Sequence, residues 1–160
     1  NKSNWRKKHW QSLVTCYSKA SYFKKYGPAI KNIYEREWDR LNAINIEMLK
    51  LFLSFLDIKT KIVLSSELHV PGVATERLVR MCKKLGADAY LSGAYATEAY
   101  LDAEAFRKEG IRLDILQWQA PTYTQLFMQN GFIPDLSIVD LLFNEGPRTM
   151  DIILAQSPKE

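Results

Sequence analysis

The chain has 160 residues, 47% hydrophobic and 25% charged, with a net charge of +4, which suits one hydrophobic core and excludes a disordered chain. Its longest apolar run, Met48 to Leu56, is broken by Lys50 and Ser54 and is too short to span a bilayer, and no secretory leader pattern opens the chain. Two cysteines, Cys16 and Cys82, lie far apart and outside any CxxC pair, which argues against a disulfide scaffold or a zinc site and fits a reducing, intracellular compartment.

Trp10, Leu13, Val14 and Tyr17 recur at helical spacing and predict a helix from about Trp5 to Tyr17 with a buried stripe. Much of the positive charge falls here and just beyond, at Lys2, Arg6, Lys7, Lys8, Lys19, Lys24, Lys25 and Lys31. Aromatic and acidic residues are mixed in, so the stretch reads as a solvated helix face rather than a nucleic-acid surface. Pro28 fits the first turn of a second helix running to about Glu37. Leu41, Ile44, Met48, Leu49, Phe52, Leu53 and Leu56 mark a longer third one. The first third is therefore expected to be helical.

The period then changes. Lys61-Ile62-Val63-Leu64-Ser65 is short, apolar and β-branched, as a buried strand is. Thr75 is placed to cap a helix carrying Leu78, Val79, Cys82 and Leu85, which stops at Gly86. Ala89-Tyr90-Leu91 predicts a second strand, ending at Ser92-Gly93. Helical turns holding Tyr100, Leu101 and Phe106 follow, ending at Gly110, and Ile111 to Trp118 predicts a third strand. The order β-α-β-α-β requires right-handed crossovers and a parallel, Rossmann-like sheet. After a loop between Pro121 and Pro134, Ser137-x-x-Asp140 predicts a capping box ahead of Leu141, Leu142 and Phe143. That helix should end at Gly146-Pro147, and a last short one should run from Thr149 to Ala155. The expected fold class is thus α/β: a helical N-terminal third, a parallel β-α-β-α-β unit and a helical C-terminal segment, all in a single domain over residues 1–160.

In an open parallel sheet, ligands bind beyond the carboxyl ends of the strands. Those ends would present Ser65, Ser66, Glu67 and His69, then Ser92 and Gly93, then Gln117 to Gln119. The Ser92-Gly93 turn precedes a helical segment, where free backbone N–H groups favour an anion such as phosphate. Ser65 and Ser66 equally well just end a strand, Glu67 is a general base or an exposed carboxylate, and His69 beside Pro71 reads as a surface histidine. Arg77 can clamp an anion through two parallel N–H bonds, whereas Thr75 is most simply a cap. Tyr100, Trp118 and Tyr123 suit the core more readily than a binding platform. No Ser-His-Asp order, Walker sequence, G-x-G-x-x-G or H-E-x-x-H occurs.

Several segments together resemble the WbqC-like family of bacterial proteins. They are Trp5-x-x-x-His9-x-x-x-Leu13, Tyr17-Ser18-Lys19-Ala20-Ser21-Tyr22-Phe23, Leu64-Ser65-Ser66-Glu67-Leu68, Thr75-Glu76-Arg77-Leu78, and Tyr90-Leu91-Ser92-Gly93 with Tyr100-Leu101. Pro121-x-Tyr123-x-Gln125 and Leu136-Ser137-Ile138-x-Asp140-Leu141-Leu142-Phe143-Asn144-x-Gly146 complete the series. The resemblance covers the later two-thirds or so of the family's domain. It implies that the family's opening strand and its aromatic, proline-rich turn are lacking here, as the start at Asn1-Lys2-Ser3 without Met also suggests.

The resemblance implies a cytoplasmic enzyme of O-antigen or other surface-polysaccharide synthesis, with transfer of a glycyl, other aminoacyl or acyl group onto a sugar. Its site candidates are His9, Ser65, Ser66, Thr75, Arg77, Ser92, Gly93, Tyr100, Tyr123, Gln125, Asp140 and Asn144, and His9 gains most from it. His9 or Glu67 would act as the base, with a sugar or nucleotide-linked sugar as substrate and no metal or nucleic acid. Two alternatives stay open: an ATP-dependent, nucleotidyltransferase-like enzyme that activates a carboxylate, and a non-catalytic scaffold of a glycan-assembly complex.

Overall fold

The computed structural model describes residues 4–155, without the side chains at 97 and 98; the polar tail at 156–160 lies outside the described residues. Within that span the contacts divide into two compact units, residues 4–59 with 120–155, and residues 60–119.

The first unit is helical. α1 (Trp5–Tyr17), α2 (Phe23–Glu35) and α3 (Leu41–Phe55) open it, and α7 (Ile138–Glu145) and α8 (Thr149–Ala155) close it. Ala20, Tyr26, Ile30, Val139, Leu142 and Phe143 form its buried centre, with Trp10, Leu13, Tyr17, Phe52 and Phe55 packed around them. The stripe on α1 is only half-buried, because none of its residues lies fully inside. Aromatic edges finish the packing: Phe143 lies 5.1 Å from Phe23 and 5.3 Å from Tyr17, and Tyr26 lies 4.8 Å from Phe55.

Pro28 does not open α2 but lies inside it, five residues past the start at Phe23. Tertiary contacts outweigh the lost helix bond at the proline. The Tyr22 N–H donates to the Phe143 carbonyl at 2.9 Å, and the Phe23 ring packs against Trp10 and Phe143. The chain is thereby anchored as a helix before the proline is reached.

The second unit is a small α/β assembly: α4 (Ala74–Leu85), β1 (Ala89–Gly93), α5 (Ala94–Ala99), α6 (Ala103–Lys108) and β2 (Arg112–Leu116). β1 and β2 run parallel, with Tyr90 opposite Leu113 and Ser92 opposite Ile115. Val79, Cys82, Phe106 and Ile111 form the core, onto which Leu78, Tyr90, Leu101 and Leu113 pack. Phe106 stacks on Tyr90 at 5.1 Å. Gly86 ends α4 at φ 67°, and the Ala87 N–H returns to the Cys82 carbonyl at 2.9 Å, a left-handed cap in which glycine carries no side-chain penalty.

The expected strand at Lys61–Ser65 does not form. Among the described residues the sheet has two strands, so one β-α-β unit is present and the first β-α repeat is missing. Val63 and Leu64 are half-buried and Ile62 is 39% exposed. The segment partly covers its apolar side chains without pairing its backbone. A short apolar run carries no information about which of these it does.

Candidate functional site

In the second unit, α4 connects to β1 through residues 86–88 and shares a core with Tyr90 of β1, and its first turn reaches the segment that follows α5. A direct contact supports this placement. The Thr75 hydroxyl accepts from the Asp102 N–H at 3.1 Å and donates to the Tyr100 carbonyl at 3.5 Å, tying α4 to the chain that leaves β1. Thr75 is therefore buried and is not the cap of α4: the capping position is Val73, which offers no side-chain bond. Asp102 is a cap that the sequence reading missed, accepting from the N–H groups of Glu104 and Ala105 at 3.0 and 3.3 Å.

Of the sequence candidates, Arg77 lies in the first turn of α4, Ser92 and Gly93 end β1, and Tyr100 follows α5. The Nε atom of Arg77 is buried and has no hydrogen-bond partner among the described residues. Ser92 is buried, and its hydroxyl donates to the neighbouring Gly93 carbonyl at 3.3 Å. Gly93 is exposed, and a Cβ at that position would meet open space. Tyr100 is 62% exposed, so it is not core; Trp118, two residues past β2, is exposed as well. Tyr95, which the sequence reading passed over, is 80% exposed. Its one available signal was its position two residues after Gly93, at the strand end. The second unit thus carries exposed aromatic rings past its strand ends and, on α4, a guanidinium nitrogen without a partner among the described residues.

Ser65, Ser66, Glu67 and His69 do not end a strand. They lie exposed on a turn closed by the Glu67 N–H donating to the Leu64 carbonyl at 2.9 Å, and Lys84 holds that turn through the Leu68 carbonyl at 2.6 Å.

The remaining candidates gather in the first unit. Asp140, 3% exposed, accepts from the Tyr123 hydroxyl at 2.8 Å and from the Gln125 amide at 3.2 Å. It therefore does not close the expected capping box. Ser137 alone caps α7, accepting from the Val139 N–H at 3.4 Å. The half-buried Tyr123 and the buried Gln125 compete successfully for the carboxylate, since an unpaired buried charge is costlier than a lost cap bond. Gln125 also donates to the Ile133 carbonyl at 2.8 Å and accepts from its N–H at 3.0 Å, so one side-chain amide closes the loop between them. Asn144 donates to the Asp140 carbonyl at 2.8 Å, inside α7.

Burial, with the Asp140 carboxylate adding to it, raises the Tyr17 phenol well above its ordinary value. Burial also pushes Tyr123 up to about 12; the Gln125 bond opposes the shift, and Asp140 and Glu145 reinforce it. The Tyr123 phenol therefore remains an O–H donor to the carboxylate at neutral pH. Tyr17 and Glu145 are members of this network that the residue patterns did not single out for a site. Glu145 is buried, accepting from the Thr124 N–H at 3.2 Å and pairing with Arg148. His9 is exposed on α1 and meets Trp5 and Tyr34 edge-on, with ring centres 5.3 and 6.2 Å away.

The candidates thus fall into two groups: Ser65, Ser66, Glu67, Thr75, Arg77, Ser92, Gly93 and Tyr100 in the second unit, and His9, Tyr123, Gln125, Asp140 and Asn144 in the first. Among the described residues no three His, Cys, Asp or Glu side chains gather as they would around a metal ion. No helix of the described residues is long and apolar enough to cross a membrane.

Comparison with known proteins gives two matches. The WbqC-like protein family matches residues 1–152. A protein of Mycobacterium tuberculosis (strain ATCC 25618 / H37Rv), "Uncharacterized protein Rv1507c", is 33% identical over 153 residues. That match takes in 94% of this chain, which spans 65% of the relative's length. No solved structure matches.

Proposed function

The chain belongs to the WbqC-like protein family, and we propose that it is a cytoplasmic transferase of bacterial surface-glycan synthesis. It moves a glycyl, other aminoacyl or acyl group onto a sugar, and the carboxyl edge of the β1–β2 pair holds a phosphate of the sugar substrate. The observation that carries this reading is the buried Arg77 Nε with no partner among the described residues. A desolvated guanidinium N–H left unpaired costs stability, and a phosphate oxygen is a fitting acceptor for it. Exposed Tyr95 and Tyr100 would lie against the sugar ring, and the open space at Gly93 would let the ligand approach the backbone.

The chemistry asked of the chain is acyl transfer. The acceptor amine or hydroxyl attacks the donor carbonyl, the carbonyl-to-leaving-group bond breaks, and the acceptor proton passes to a base. His9 and Glu67, both exposed, are the candidate bases. In this reading Ser65, Ser66 and Thr75 support the strand-edge site of the second unit, and Tyr123, Gln125, Asp140 and Asn144 support the first unit, which carries His9. Buried Thr75, Gln125 and Asp140 act through the backbone and side chains they hold.

A thermal-shift panel against sugar nucleotides, ATP with magnesium, glycine and acyl-CoA tests it. Free ligand at a hundredfold excess over its dissociation constant adds about 2.7 kcal/mol. Sugar nucleotides are expected to stabilise the protein, and Ser92→Trp and Arg77→Met to remove that effect. Stabilisation by ATP with magnesium alone, or sugar-nucleotide binding that survives both substitutions, would overturn the reading.

A further inference from the structure

A cleft of about 370 Å³ opens on the first unit between the amino-terminal turns of α1 and the last turn of α2. It contains none of the residues assigned above to the strand edge. Its volume falls in the range of about 300–1,000 Å³ that small-molecule sites occupy. Trp10 and Tyr34 supply aromatic surface, Arg6 and Lys7 positive charge, and Asn4 and Gln11 side-chain amides. The acid that also lines it, Glu35, is engaged by Lys31 at 3.2 Å.

These parts are held in place. Arg6 donates to the Arg36 carbonyl, which fixes its guanidinium across the two helices while further N–H groups remain to donate. Tyr34 is braced edge-on by Trp5 at 6.4 Å and His9 at 6.2 Å, and its burial raises the phenol pKa, keeping it an O–H donor. Trp10 is stacked on Phe23 at 5.8 Å.

We infer that this cleft binds an anionic saccharide, a sugar carrying a phosphate or a carboxylate. Aromatic rings suit the apolar C–H faces of a sugar, amides that both donate and accept suit its hydroxyls, and two adjacent cations suit one anionic group. A purely apolar ligand would strip water from the charged and amide side chains that line the cleft without replacing their bonds. A nucleic acid calls for a longer track of cations than one pair. The inference does not rest on the strand-edge site, and it would supply a second sugar subsite, in the other unit.

Isothermal calorimetry with glucose 1-phosphate and glucuronate as probes tests it, with glucose, inorganic phosphate and adenosine monophosphate as comparators. Lys7→Glu reverses one cation and Gln11→Trp fills the cleft; both positions are exposed, so both variants should fold, which a circular-dichroism melt verifies. At least one anionic sugar is expected to bind about tenfold tighter than glucose or phosphate. Each α1 variant, made in the Arg77→Met background so that the strand edge does not contribute, should weaken it by about tenfold, a change of about 1.4 kcal/mol. The inference is overturned if neither probe binds, if binding survives both α1 variants, or if phosphate or the nucleotide binds as tightly. Binding already lost in Arg77→Met alone overturns it too, while supporting the strand-edge site.

Discussion

A methyl group at position 146 would sit 2.5 Å from the Tyr22 ring, on a backbone with φ 56°. Neither the ring nor the turn can yield cheaply, because Tyr22 also ties its N–H to Phe143. Gly146→Ala is expected to lower stability by about 2–4 kcal/mol in urea melts. Arg77 should behave in the opposite way. Arg77→Met keeps the apolar stem and removes a buried donor without a partner, so stability should hold or rise by about 1 kcal/mol while ligand binding is lost. Tyr123 makes a prediction about pH. Its folded pKa of about 12 lies above its ordinary 10.0, so the folded state retains the phenol proton more tightly. That stabilisation is full below pH 10.0 and is lost as pH rises towards about 12. Tyr123→Phe should therefore flatten the fall in melting temperature across that alkaline window.

Thr75 shows how one hydroxyl can connect elements. It joins the first turn of α4 to the Tyr100–Asp102 chain. Thr75→Val keeps the volume but leaves the Asp102 N–H without its acceptor, at a cost of about 1–3 kcal/mol. Hydrogen exchange at the Asp102 amide should quicken by more than exchange at Val79 in the core. Elements were legible where the sequence carried both a period and a stop. The helix that ends at Gly86 and the one between Ser137 and Gly146 are examples, each with a local cap. They failed to be legible where tertiary contacts decide. Pro28 looks like a helix start but is carried inside α2 by the Tyr22 and Phe23 anchors, and Lys61–Ser65 has the composition of a strand but pairs with no strand among the described residues.

At the scale of the molecule, the family resemblance covered more than the residue chemistry did. The ordered segments identify the family, which matches residues 1–152, while the placement of the candidates needed coordinates. Tyr123, Gln125 and Asp140 looked like separate marks on the sequence and prove to be one buried hydrogen-bonded network. Sequence separation hides such partners: Asp140 lies 17 residues from Tyr123 and 15 from Gln125. Tyr95 and Tyr100 were illegible as surface because nothing local distinguishes an exposed aromatic ring from a core one.

If Arg77 is kept for a phosphate at the strand edge, its Nε–H resonance in a ¹⁵N–¹H spectrum reports on that contact directly. On titration with a sugar nucleotide, that resonance is expected to shift downfield and exchange more slowly with solvent, together with shifts of the Ser92 and Gly93 amides. A resonance that stays unmoved at saturating ligand, while signals elsewhere shift, would contradict it.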